Sequence, residues 1–170
     1  MTENVEKILQ ILQKLIGLHR QLHEVCRSER EALVAADVKQ VQEFVHAKEL
    51  VVESIKQEEA KRIRISADVA LELKRPLSEM TLTNLIMETE PQNPKLAEAL
   101  RSAMNALVIL IDRARKLNAS NQELIDRSLE HVHAMKKNVL GEAVPRSDVY
   151  GSQGQKLPHT SGARLISKEV

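Results

Sequence analysis

Between Pro94 and Leu140 one seam recurs at alternating steps of four and three without a fault. Its positions are Leu96, Leu100, Ala103, Leu107, Leu110, Ala114, Leu117, Asn121, Leu124, Ser128, His131 and Met135. Such a spacing puts every position on one face of an α-helix, because 3.6 residues complete a turn. Sustained this far, it predicts a coiled-coil-like helix about 70 Å long. A strand is ruled out here, since no alternation of β-branched residues competes with the seam.

Two further segments carry the same spacing. From Asn4 to Ala35 it runs through Val5, Ile8, Leu12, Leu15, His19, Leu22, Cys26 and Leu33, with Glu29 in the gap. Leu9, Ile11, Ile16, Leu18 and Val25 widen that face, so this helix is expected to meet two neighbours. Gly17 lies mid-helix, either for close packing or as a tolerated weak spot. The second segment opens at Asp37, where Gln40 three residues later makes a capping-box-like signal. It continues through Val41, Val45, Lys48, Val52 and Ile55 to about Lys74, and Pro76 stops it. The charged stretch 58–64 reads as a solvated face. Residues 75–95 form the connection, with a short helix expected over Ser78–Glu88. Asn93 and Pro94 are a good N-cap and first helical residue for the last segment.

The predicted fold is therefore all-α: an antiparallel bundle of three long helices with coiled-coil-like seams and a short helix in the second connection. Residues 1–141 form this domain. After Gly141, three of the five glycines, two prolines and several Ser and Thr predict a flexible tail over 142–170. The core must be aliphatic, for the chain has one Phe, one Tyr and no Trp.

Composition narrows function mainly by exclusion. A net charge of +1 offers no field for nucleic acid. Cys26 stands alone, so no internal disulfide forms and a structural zinc site is not expected. The acidic start (Glu3, Glu6) lacks the basic and apolar regions of a secretory signal, and no run of 18 apolar residues exists. The expectation is a cytoplasmic protein without membrane insertion. No phosphate-binding glycine loop, H-E-x-x-H or C-x-x-C occurs, so neither an enzyme nor a cofactor or metal is expected. His19 and His23 share a helix face but have no third ligand. His131 and His133 point to different faces and lack the small Gly that phosphotransfer domains place beside their histidine.

Asn121 interrupts the aliphatic seam. It either fixes register inside the bundle or faces a peptide partner. Beyond it the seam turns mixed and carries Met, which suits an adaptable groove for an amphipathic helix, or a fraying tip. In the tail, Val149-Tyr150-Gly151-Ser152-Gln153-Gly154 holds the single tyrosine between glycines, a good anchor for docking.

Several of these residues resemble one family. Leu117-Asn118-Ala119-Ser120-Asn121-Gln122-Glu123-Leu124 is similar to the L-N-x-x-N-x-x-L signature of FlgN-type flagellar export chaperones. Tyr150, Gly151, Gly154 and Gln155 match the family's Y-G-x-x-G-Q segment. Gly162, Arg164 and Ile166 resemble its ending, and Lys48 with Val51 resembles its K-x-x-L pattern, Val replacing Leu. The resemblance implies a cytoplasmic bodyguard. It would bind C-terminal amphipathic helices of hook-filament junction proteins, keep them unassembled and deliver them to the export gate, a membrane protein, through its cytoplasmic domain. Carried over by position, the substrate surface lies at Asn118, Asn121, Leu124, Ile125, Leu129, Val132 and Met135. Gate docking falls to Val149, Tyr150, Gly151 and Gly154. The connection over 76–94 is longer than the family pattern and suggests a lid. The competing reading is a generic coiled-coil adaptor, either monomeric or homodimeric.

Overall fold

The computed structural model describes the backbone of residues 1–140 and the side chains of residues 1–138. The expected tail, with Val149, Tyr150, Gly151 and Gly154, lies outside the described residues. Every regular element among the described residues is helical: α1 (Thr2–Val34), α2 (Val38–Glu72), a 3₁₀ turn (Leu77–Glu79), α3 (Leu82–Thr89) and α4 (Pro94–Leu140). The all-α expectation holds among the described residues, with four α-helices: three long ones and the short α3 in the second connection. No helix among the described residues is long and apolar enough to cross a membrane.

The ends of the helices follow from local chemistry. Asp37 caps α2 by accepting from Gln40 N at 3.0 Å, and its other oxygen accepts from the Gln40 side chain at 2.9 Å. Asn93 Oδ1 accepts from Leu96 N at 3.1 Å and so starts α4. α1 and α2 close alike. Ala36 and Lys74 take positive φ of 55° and 53°. Asp37 N then reaches Ala32 O, and Arg75 N reaches Ala70 O, which satisfies carbonyls the helix end would leave free. The short helix departs from its expected range. Thr81 accepts from Asn84 N at 3.2 Å and nucleates α3 at Leu82, so Ser78 falls in the 3₁₀ turn instead.

Residues Met1–Leu129 form one compact unit. α1 and α2 lie antiparallel within it: the Met1 ammonium pairs with Glu72 at 2.5 Å, and Lys48 pairs with Glu29 at 2.6 Å nearer the turn. Bonds from α4 to α1 join Ser120 to Arg30 and Asn121 to Cys26. The apolar core gathers Val5, Ile8, Leu12 and Leu15 of α1 against Val69 and Ala70 of α2, Leu85 and Ile86 of α3, and Leu96, Leu100 and Leu107 of α4. Met80 of the connection is buried with them. Met80, Leu85 and Ile86 thus tie the 76–94 connection into the same apolar core, while most of its other residues stay exposed. Each large side chain buried in this way contributes about 1.5–3 kcal/mol. A second unit begins at Glu130, and its side chains through Asn138 are exposed.

Candidate functional site

The two helical motifs singled out in the sequence meet at one carboxylate. Glu29 of α1 is 1% exposed. Lys48 Nζ of α2 donates to both its oxygens, at 2.6 and 2.8 Å. The same ammonium donates to Asn118 Oδ1 of α4 at 3.2 Å. Asn121 Nδ2 donates to Glu29 Oε2 at 3.0 Å and to Cys26 O at 2.7 Å. Three helices are thereby tied at one level by charge-assisted bonds, which are shorter and stronger than neutral ones. Beside them, burial pushes the Cys26 thiol up, an effect that Lys48 opposes and Glu29 reinforces.

This network answers the question left open at Asn121. Its side chain is buried, and its amide is committed to α1, the register-fixing arrangement. Oδ1 of the same amide is buried without a partner. Asn118, one turn earlier, is exposed. Leu124 and Ile125 are half-buried, while Leu129, Val132 and Met135 are 53%, 59% and 53% exposed. The seven positions therefore divide into an interior residue, an intermediate pair and an open group.

Asn118 also borders a groove that sequence reasoning did not find. The groove encloses about 390 Å³ between α2 and α4. Lys48, Glu49 and Val52 form one wall, Ile111, Ala114, Arg115 and Asn118 the other, and His19, Leu22 and Cys26 the floor. His19 Nδ1 is buried without a partner, and burial lowers the imidazole pKa against a smaller upward pull from Glu59. The floor is thus kept neutral and largely apolar. The sequence places His19, Leu22 and Cys26 on the α1 seam and singles out Lys48 and Asn118, but the three helices that bring them together are remote in sequence.

Among the described residues no group of three His, Cys, Asp or Glu side chains converges as metal ligands would. His23 lies 3.7 Å from Glu24, and His131 and His133 are exposed.

No curated protein and no solved structure matches the chain. A family model does: that of FlgN protein, over residues 1–158. The match takes in all the described helices and runs past Tyr150. The chain belongs to the FlgN family, and with it to the chaperones of flagellar type III export rather than to a family of enzymes.

Proposed function

We propose that this chaperone binds the C-terminal amphipathic helices of hook-filament junction proteins in the cytoplasm, prevents their premature assembly and delivers them to the export gate. Residues 1–141 act as the holding domain, with the three long helices working as one antiparallel bundle. Residues 142–170 act as the docking tail, in which Val149, Tyr150, Gly151 and Gly154 meet the cytoplasmic domain of the gate protein. A junction-protein helix assembles through its apolar face, so covering that face with another apolar face holds it back.

The observation that carries this reading is the FlgN match over 1–158. The exposed Leu129, Val132 and Met135 support it, because large apolar side chains at successive turns of one helix suit a partner helix. The test is a calorimetric titration of the full chain with a peptide from the C-terminus of a junction protein. Micromolar or tighter binding is expected, and Leu129→Ala with Val132→Ala is expected to weaken it about tenfold at unchanged melting temperature. Failure of such peptides to bind overturns the reading. In the same assay Tyr150→Ala leaves peptide binding intact and weakens binding to the gate's cytoplasmic domain.

A further inference from the structure

We propose that the groove between α2 and α4 is an anchor site for an amphipathic helix of the exported partner, a helix with a carboxylate on one edge of its apolar stripe and a cationic side chain on the other. The proposal rests on the chaperone reading and assigns a site apart from the open end of α4.

Three observations carry it. First, the groove is concave and has a closed floor: Cys26 is buried, and Leu22 and His19 are half-buried beside it. Its volume of about 390 Å³ has room for one or two large apolar side chains. Second, apolar residues continue the line of the groove along both helices beyond the residues that line it. Ile63 falls on the same face of α2 as Val52, three turns on, and Met104 and Val108 fall on the same face of α4 as Ile111. Ile63 and Val108 are 49% and 61% exposed. From Glu49 to Ile63 this line spans roughly 20 Å, enough for about four turns of a partner helix.

Third, the walls carry opposite charge at one level. The ion pairs of α4 use Arg101, Lys116 and Arg127. Arg115 has no carboxylate partner among the described residues. Across the groove, Glu49 has only His46 at 3.7 Å. Lys48 is engaged by Glu29 and Asn118 and has no charge to spare. A helix seated over Leu22, Val52 and Ile111 would set one edge against Arg115 and the other against Glu49. An acid facing α4 and a base facing α2 satisfy both; the reverse arrangement places like charges together. Complementarity of this kind fixes orientation and excludes wrong partners.

The test uses the full chain and the junction-protein peptide of the preceding experiment. Arg115→Glu and Glu49→Lys change exposed positions and are expected to leave the melting temperature unchanged. Each is expected to weaken peptide binding about tenfold at low salt. Reversing the peptide's facing acid to Lys is expected to restore binding to Arg115→Glu. If wild type and both variants bind the peptide equally, the groove assignment is overturned and the chaperone reading stands. If wild type binds no such peptide, both fall. If the variants instead abolish a concentration-dependent dimer and leave peptide affinity untouched, the groove belongs to a second copy and the proposal is overturned.

Discussion

Glu29 and Lys48 form a pair whose two members are buried unequally, at 1% and 22% side-chain exposure. The inequality decides what each deletion does. Without Lys48, the Glu29 carboxyl is left in the interior with only the Asn121 amide beside it. Without Glu29, Lys48 can turn toward water. Breaking a buried pair costs about 3–5 kcal/mol when the remaining charge is stranded. Lys48→Met is therefore expected to lower stability by about 3–5 kcal/mol and Glu29→Gln by about 1–2 kcal/mol, since a neutral amide still accepts and donates there. The double variant Glu29→Leu, Lys48→Met is expected to lie near wild type, because an apolar pair of similar volume needs no desolvated charge. Urea unfolding of the three variants checks the order; equal losses for the two single changes would refute it. The sequence showed Glu29 as a polar gap in an apolar seam and Asn121 as another. It could not pair them, because the partners sit 92 positions apart and only the packed helices bring them within 3.0 Å.

Helix extents were legible almost to the residue where caps and periodicity agreed, as at Asp37 and at Asn93-Pro94. They were less legible between them. The short helix expected from Ser78 starts instead at Leu82, where Thr81 caps it, and Ser78 falls in the preceding 3₁₀ turn. Gly17 shows the same limit from the other side, since a mid-helix glycine can mean either close approach or slack. A Cβ built at Gly17 meets nothing within 4 Å, so no packing requires the glycine. Gly17→Ala is expected to stabilise the protein by about 1 kcal/mol, the helix-propensity difference in an exposed interior position. Thermal unfolding measures it. A loss of stability would refute the reading of Gly17 as slack.

At the scale of the whole molecule, the seam of α4 is covered as far as Asn121 and opens beyond it. Leu96, Leu100 and Leu107 are buried, Leu110 and Leu117 half-buried, and Ser128, His131 and Met135 exposed. The seam pattern alone is uniform over that length, so periodicity announced a helix but not how much of it the other helices cover. The change of residue type after Asn121 was the better guide, because a seam without partners has no need to stay aliphatic. The groove was illegible for a related reason: His19, Leu22, Cys26, Lys48, Val52 and Ala114 are seam positions, and a seam does not show which of its positions the neighbouring helices leave uncovered. His19 offers a way to read that groove in solution. Burial holds its pKa below the ordinary histidine value, against the upward pull of Glu59. Around it stand Lys48 and Glu49 of α2, Arg115 of α4, and the Cys26 thiol. With the folded pKa below the unfolded one, the unfolded chain takes up the proton first. Stability is then fully present above about pH 6.5 and is lost as pH falls from there toward the folded pKa. The carboxylates of Glu3, Glu58 and Glu72, held low by Lys7, Lys61 and the Met1 ammonium respectively, add their own loss only below about pH 4.5. Between pH 7.5 and 5 the melting temperature of the wild type is expected to fall, and His19→Leu is expected to flatten that slope. A seated partner helix removes more water from the imidazole and makes its protonation still less favourable. Peptide affinity is accordingly expected to drop over the same pH interval in the wild type and not in His19→Leu. Equal pH dependence of affinity in both would show that the partner does not cover His19.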